Sequence, residues 1–551
     1  MPQSKTTRDN IKSSYGDFIS RKPDFIWWVL ILITIVAFAL IRLRLLNIPL
    51  ERDEGEFAYA AQMLLQGEPF YLSFYNYKLP GIYAAYVLIL SIFGQTIWAI
   101  RLGALIVNAL TILVVFLIGK KLFKAPVGLM AGAFFGLLSL GQEAVGFSAN
   151  WEPFVLLPAL VGIFLLLKGL ETKRDAYFGA SGLCLGLAFL TRQHAAAFIA
   201  FAALYFLGQQ IFLEKTPVKL WVRQFIWFSL AIILPFGLTC LTMWLDGTFD
   251  RFWFMNFIYA PSCLREVPMA LGVKLFGEKI TKIAGDAFLI WCLAGVGFFS
   301  MAWDKLSRRD WLFVLLFTLF SFLAIVPGYW FREHYFLLVI PAVALLAALG
   351  VSSLAGLSHY VKLNRFNSAV MVILFLLALG YAIVSQWQYL FVLNPLQISR
   401  LTYGANPFIE SLEIAKYIED HSNPNDRVVI IGSEPQINFY SHRRSSTGYV
   451  FVDQLVQNQP FARAMQQEFI KEVQSTPPKF IVVINVPTSW CVTPTSEKLI
   501  FQWVDQYINK YYKLVGIVDI RPNGVANYYW NNQATPQKLK AFLGAAIFMR
   551  K

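Results

Sequence analysis

Apolar runs close to the ~20 residues needed to cross a bilayer recur through about the first 390 positions of this chain, and they constrain the fold more than any other feature. They predict spans near 25–46, 97–118, 126–147, 153–168, 176–190, 195–213, 224–244, 284–303, 311–327, 335–356 and 368–391. With 57% hydrophobic and 15% charged residues, the chain is too apolar for a soluble protein of its length. The formal charge of +14 is no nucleic-acid signature, because the basic residues cluster in short loops between spans, where topology bias accounts for them. The cysteines offer no framework: Cys184, Cys240 and Cys292 lie in apolar segments, leaving Cys263 and Cys491 in polar surroundings, without CxxC or Cys/His zinc spacing. The N-terminus is polar through Arg21 and Lys22 and lacks a small-residue cleavage site, so the first run reads as a retained span.

One segment, "GIYAAYVLILSIFG" (81–94), is greasy but short. If it lies along the interface, the cytoplasm receives Lys120, Lys121 and Lys124; Lys168, Lys173 and Arg174; Lys215, Lys219 and Arg223; Lys305, Arg308 and Arg309; and Lys362 and Arg365. The opposite side then holds Arg101, Arg192, Arg251, Arg265, Lys274, Lys279, Lys282 and Arg332, spread over longer loops and mixed with acids. The positive-inside rule favours this arrangement, with about eleven spans and residues 1–24 cytoplasmic. All the unusual polar residues, and the chain from 394 onward, then converge on the outer face.

Beyond Asn394 the pattern changes. "DRVVIIG" (426–432), "KFIVVIN" (479–485) and "YKLVGIVDI" (512–520) read as buried strands, and 407–421, 459–475 and 495–510 have helical periodicity. Asn406 before Pro407 and Thr493 before Pro494 suit helix starts. The expectation is an α/β domain over 394–551 with a largely parallel sheet. It has no Gly-rich phosphate loop, and a structural or acceptor-positioning role is its plainest reading. The tail "KLKAFLGAAIFMRK" is amphipathic and basic, suited to a membrane surface.

The densest charge follows the first span directly. "NIPLERDEGEFAYAAQMLLQGEPFYLSFYNYKLPGIY" (47–83) holds Arg52, Asp53, Glu54, Glu56, Glu68 and Lys78. Phe57, Ala61, Leu64 and Leu65 recur at helical spacing, and Gly67 is a natural stop, which predicts a short amphipathic helix on the outer leaflet. Asp53 would be its N-cap, a sufficient structural reason for an acid there. Lys78 precedes Leu79–Pro80, in extended geometry, and could simply snorkel to the interface.

The stretch from Arg52 to Phe123 closely resembles the first outer loop of C-type-fold (GT-C) membrane glycosyltransferases of the protein O-mannosyltransferase-like and aminoarabinose transferase-like group. The shared skeleton is Asp-Glu, an aromatic and small-residue helix, Gly, a Lys-x-Pro element, Gly, Arg-Leu, and a basic end after a span. Weaker likeness continues through "NWEP", "GLAFLTRQHAA" and "REHYFLLVIPAVALLAALG", so the resemblance covers about residues 25–355. It implies a polytopic helical catalytic domain over 25–393, with first outer loop 47–96, in the inner membrane of a cell envelope. It also implies transfer of a sugar from a polyprenyl-phosphate donor to a lipid, glycan or protein acceptor outside that membrane, usually with inversion.

In that resemblance Asp53 matches the catalytic aspartate, the general base, and Lys78 matches the lysine that would hold the donor phosphate. Arg332 and His334 fall at the cation-bearing position before a span and would serve the same phosphate. The chemistry agrees: displacing a lipid phosphate needs a base for the acceptor hydroxyl and cations for the departing charge. Glu152 would bind sugar hydroxyls or a cation, or cap its own helix. Arg192 and His194 are candidates to face the cavity, and Arg101 matches the family's Arg-Leu with no assigned role. The residue before the lysine is acidic in the aminoarabinose transferases but is Tyr77 here, which puts metal dependence and sugar identity in doubt. Asp53, Glu54 and Glu152 could still offer oxygen ligands to a divalent cation. Two rival classes stay open, a flippase or transporter of lipid-linked saccharides and an oligosaccharide ligase or polymerase. A transporter is expected to carry charge deep within its spans, whereas here it gathers at one interface.

Overall fold

The computed structural model describes residues 24–263, 267–300, 302–304, 307–357, 367–521, 524–541 and 543–551. The N-terminal segment before Asp24 lies outside the described residues, as do Arg265, Lys305, Lys362 and Arg365. The remainder forms a helical membrane domain and a C-terminal α/β domain. Among the described residues six stretches are long and apolar enough to cross a membrane: Asp24–Leu43 (α1), Ile97–Leu122 (α4), Trp151–Thr172 (α6), Gln193–Leu213, Val218–Leu245 (α8) and Ser368–Ser385. A seventh arises if Met269–Gly285 and Phe288–Ser300, bent by 108°, count as one span. The other expected spans are shorter helices: Ala125–Leu138 (α5), Asp175–Thr191 (α7), Arg308–Leu323, which opens on three charged residues, and Ile340–Leu357.

Local chemistry explains the shortening. After Leu138 the chain leaves the helix, and Arg42 captures the carbonyls of Ser139 and Gly146, both at 2.8 Å, while its Nε donates to Asn108. A Cβ on Gly146 would stand 2.3 Å from the Ser139 oxygen, so the turn closes only around glycine. The run expected over 335–356 begins as a 3-10 turn, Glu333–Leu338, and becomes α-helical at Ile340, beside Pro341.

Helix Arg52–Leu65 (α2) and helix Pro80–Phe93 (α3) lie together at one end of the bundle. The chain enters α3 from Lys78, which touches Asp53 of α2, and leaves it at Gln95, which accepts from Gln62 of α2. The short greasy segment therefore starts and finishes against the same helix. At the opposite end, Lys120 pairs with Asp24, Lys121 with Glu171, Lys173 with Glu214 and Arg223 with Asp175, so basic loops assigned to one side do gather there.

The C-terminal sheet runs β1-β2-β5-β3-β4, with strands Val428–Ile431, Phe480–Asn485, Tyr512–Ile520, Ala526–Trp530 and Gly544–Arg550 as β1 to β5. The three expected strands are present, but the sheet is mixed: β1 and β2 are parallel, and every other pairing is antiparallel. The expected parallel sheet is corrected by the tail. Gly544–Arg550 is no surface helix; it inserts between β2 and β3, and its register, from Gly544 opposite Asn485 to Met549 opposite Phe480, buries Ala545, Ala546 and Ile547. The three expected helices of this domain, Glu410–Asp420 ahead of β1 and Ala462–Ser475 and Leu499–Tyr511 between strands, begin three or four residues later than expected.

The two domains share their apolar cores. Phe439, Val450 and Phe451 of the C-terminal domain sit in the same buried cluster as Phe57 and Tyr83, while Tyr71, Tyr75 and Leu79 of the first loop join a second cluster with Val429 and Ile431 of β1. Helix α2, expected on the leaflet surface, is instead enclosed between domains, with Glu54 to Met63 all buried. Gly55 allows this: a Cβ there would lie 2.6 Å from the Gln436 backbone nitrogen.

Candidate active site

The site is built on the start of α2. Its N-cap is Glu51 rather than Asp53: Glu51 accepts from the Glu54 amide at 3.1 Å, and Glu54 accepts from the Glu51 amide at 3.0 Å, forming a capping box. This corrects the cap assignment and leaves the Asp53 side chain, one quarter exposed, free to face the site. Glu51 also accepts from Asn150 Nδ2 at 3.3 Å, and Asn150 caps α6, the helix that carries Glu152. One carboxylate thus joins the starts of two helices.

Asp53 and Lys78 meet. Lys78 Nζ donates to Asp53 Oδ1 at 2.7 Å and to Glu56 Oε2 at 2.7 Å. Glu56 is fully buried and its other oxygen accepts from the Tyr83 hydroxyl at 2.5 Å. The Lys78 ammonium also lies 4.5 Å from the Phe57 ring centre and 5.1 Å from that of Phe451. The Lys78 carbonyl accepts from Tyr71, which accepts in turn from Asn256, so the main chain at this lysine is fixed as well. Burial disfavours the Asp53 charge, but Lys78, Arg332 and His334 outweigh it and hold the carboxyl well below the usual carboxylate range. Burial pushes Glu56 above its ordinary value, only partly offset by Lys78 and Tyr83, and pushes Glu51 up to about 7, with Asp53 and Glu54 adding to the rise.

Glu54 does not join Asp53. It is wholly buried and bound by the Arg101 guanidinium, the Ala149 amide and, at 3.2 Å, the Ser148 hydroxyl. Arg101 further donates to the carbonyls of Ile48, Pro49 and Phe147, so it clamps the chain entering α2 against the loop entering α6. The fold does not bring Glu54 to the other two acids that could have offered cation ligands, Asp53 and Glu152, because its carboxylate is taken up by Arg101. Among the described residues no three His, Cys, Asp or Glu side chains converge as a metal site.

Glu152, Arg192, His194, Arg332 and His334 do converge. Buried Glu152 contacts His334 Nδ1 through one oxygen, and its other oxygen has no hydrogen-bond partner among the described residues. Arg192 is buried, with no partner for Nε and one terminal nitrogen among the described residues, its guanidinium 5.6 Å from the Tyr77 ring centre and 5.5 Å from that of Trp151. His194 packs between Trp151 and Tyr335, with ring centres 4.8 and 5.3 Å away and no partner for either ring nitrogen among the described residues. Arg332 is exposed, 5.5 Å from the Trp330 ring centre, and Tyr335, Asp53 and Tyr77 lie close enough to favour its charged form. Neither Arg192 nor Arg332 has a carboxylate partner within salt-bridge distance among the described residues, so the site carries cationic capacity beyond its internal pairs. Buried donors and acceptors are rarely left unmatched, and such a concentration marks space for a polar ligand.

Sequence reasoning missed Glu56, Glu51, Tyr83 and Phe451. Glu56 was legible, since it stands three residues after Asp53 and so shares its helix face. Phe451 was not, because no local pattern ties residue 451 to residue 78.

Residues 78–238 match the family described as dolichyl-phosphate-mannose-protein mannosyltransferase, less than a third of the chain. No curated protein matches the chain significantly. Among solved structures, ArnT from Cupriavidus metallidurans bound to undecaprenyl phosphate aligns with a TM-score of 0.59 at 16% identity, over 96% of this chain and 98% of that one. The oligosaccharyltransferase AglB from Archaeoglobus fulgidus, in complex with an inhibitory peptide and a dolichol-phosphate, aligns at 0.51 and 13% identity over 92% and 75%. The arabinofuranosyltransferase AftD from Mycobacteria aligns at 0.51 and 13%, over 94% of this chain and 39% of that one. At these identities the likeness is one of fold, and the fold is that of the C-type membrane glycosyltransferases.

Proposed function

We propose that this multi-pass membrane protein, with its C-type glycosyltransferase fold, moves a monosaccharide from a polyprenyl-phosphate donor to a lipid, glycan or protein acceptor, with inversion. The reaction occurs on the outer face of the cytoplasmic membrane, where the C-terminal domain also lies. The observation that carries this reading is the buried Lys78 ammonium held against Asp53, beside Arg192 and Arg332, neither of which has a carboxylate within salt-bridge distance among the described residues.

Asp53 takes the proton of the acceptor hydroxyl, whose oxygen forms a bond to the anomeric carbon from the face opposite the phosphate. The anomeric C–O bond to phosphate breaks, and the polyprenyl phosphate departs with the electron pair. Lys78, Arg332 and His334 stabilise that growing charge, and Arg192 stands where it can join them or orient the sugar with Glu152 and His194. At rest Asp53 is too strongly stabilised as an anion to be an effective base, because a base works best with a pKa near the working pH. An arriving phosphate draws Lys78 and Arg332 toward itself, and the carboxylate regains basicity as the donor binds. ArnT bound to undecaprenyl phosphate and AglB in complex with a dolichol-phosphate, both similar in fold, support a lipid-phosphate ligand here.

The test is to incubate membranes containing the protein with radiolabelled polyprenyl-phosphate monosaccharide and follow label into lipid, glycan and protein fractions. Label should enter one fraction with the wild type and none with Asp53→Asn. Undiminished transfer by Asp53→Asn rejects the mechanism, and label that crosses the membrane without changing carrier indicates a transporter instead.

A further inference from the structure

We propose that Phe451, supplied by the C-terminal domain, is a positioning residue that completes the site by holding the Lys78 ammonium against its ring face. An ammonium has three N–H donors, and Asp53 and Glu56 take two of them. Phe57 bounds the group at 4.5 Å and Phe451 at 5.1 Å, both rings buried, so the remaining sides of a lysine only 5% exposed are closed by aromatic faces. A cation desolvated in this way is attracted to the ring quadrupole, which an aliphatic side chain of similar size cannot supply.

The position of Phe451 is not incidental to packing elsewhere. The stretch around it is laced to the very segment that carries Lys78. The Tyr75 amide donates to the Gly448 carbonyl at 2.7 Å, and Gln454 Nε2 donates to Asn76 Oδ1 at 3.1 Å. A Cβ on Gly448 would meet the Tyr75 ring at 2.3 Å, so glycine permits that approach. From the other side, the Val452 amide donates to the Gly432 carbonyl at the end of β1, which ties Phe451 to the sheet. Behind Asp53, Arg52 donates to the Ser433 carbonyl and to buried Glu434, both at 2.9 Å. The C-terminal domain therefore grips both the Asp53 helix and the Lys78 segment, and Phe451 is the side chain through which it reaches the ammonium.

This inference rests on the proposed function only for its consequence, that the outer domain sets affinity for the lipid phosphate. The experiment uses the full-length protein in detergent with Phe451→Leu, Phe451→Tyr and a variant carrying 3,5-difluorophenylalanine at 451, an isosteric ring of weakened quadrupole. Two readouts are followed: the rate at which an amine-reactive acylating probe modifies Lys78, and the Kd for undecaprenyl phosphate. Phe451→Leu should raise both about tenfold, the difluoro variant should fall between, and Phe451→Tyr should match the wild type. Lys78 reactivity unchanged in Phe451→Leu and in the difluoro variant overturns the proposal, as does a rise in every variant that merely tracks a lower Tm. If reactivity responds as expected while the wild type does not bind undecaprenyl phosphate, the proposed function fails and the role of Phe451 stands.

Discussion

Lys78 is the residue on which most of the site's electrostatics converge, and its removal has a cost beyond ligand binding. Lys78→Ala leaves Glu56 fully buried without its cation, and breaking a buried pair from one side costs about 3–5 kcal/mol. The variant should therefore show a clear loss of thermal stability as well as loss of transfer, and Lys78→Ala with Glu56→Gln should recover most of the stability without recovering activity. A double-mutant cycle of melting in detergent tests this, and additivity of the two changes contradicts it. Asp53 lies at the partly exposed edge of the pair and Glu56 still holds Lys78 without it, so Asp53→Asn should lower Tm less than Lys78→Ala does and lower transfer by about 10²–10⁴-fold, the usual worth of a general base. Equal losses of transfer and Tm would mean that Asp53 is structural.

His334 adds a pH dependence of defined sign. Burial disfavours its charge, but Glu152, at contact distance and wholly buried, outweighs this and raises the imidazole above its ordinary 6.5. A pKa raised by folding contributes stability fully present below the unfolded value and lost as pH rises through the folded one. Melting temperature measured across a pH series should thus fall on the alkaline side of 6.5, and Glu152→Gln should flatten that slope. An identical slope in Glu152→Gln assigns the effect to another group.

At the scale of elements, glycine decides where helices touch. A Cβ on Gly81 would stand 2.6 Å from the Leu190 carbonyl carbon, a main-chain atom that cannot rotate aside. Gly81→Ala should force α3 from α7 and cost about 1–3 kcal/mol, the usual penalty of overpacking, with Lys78 displaced because it leads directly into α3. Gly179→Ala, where a Cβ meets nothing within 4 Å, is the control and should be neutral. Helix α2 was legible in outline: its periodicity and Gly67, at φ +87°, placed its end, whereas its start lies at Arg52, ahead of the cap expected at Asp53. Its environment was not, because a stripe of alanine and aromatic residues reads as one apolar face whether the other side meets water or a second domain.

For the whole molecule, the shared apolar clusters mean that the C-terminal domain is not an appended module. Phe439, Val450 and Phe451 fill the core around α2, and the Arg444–Glu68 and Arg251–Glu468 pairs bridge the domains at the rim. Truncation before Asn394 should expose α2 and the first loop and abolish undecaprenyl phosphate binding together with cooperative melting. A truncated protein that still binds with wild-type Kd would separate the two domains functionally.

The sequence by itself determined that the chain is a polytopic membrane protein with an α/β domain at its end, because apolar run length and strand composition are local properties that solvent transfer reads directly. It also determined that Asp53 and Lys78 deserved attention, through charge that has no reason to crowd beside a first span. Only the tertiary structure decided which acid caps α2, that Glu54 belongs to Arg101, that the basic tail is the central strand of a mixed sheet, and that residue 451 touches residue 78. The last three depend on partners tens to hundreds of positions away, and no periodicity within a segment encodes which distant group will satisfy a buried charge; the cap is local, since Glu51 and Glu54 stand three residues apart.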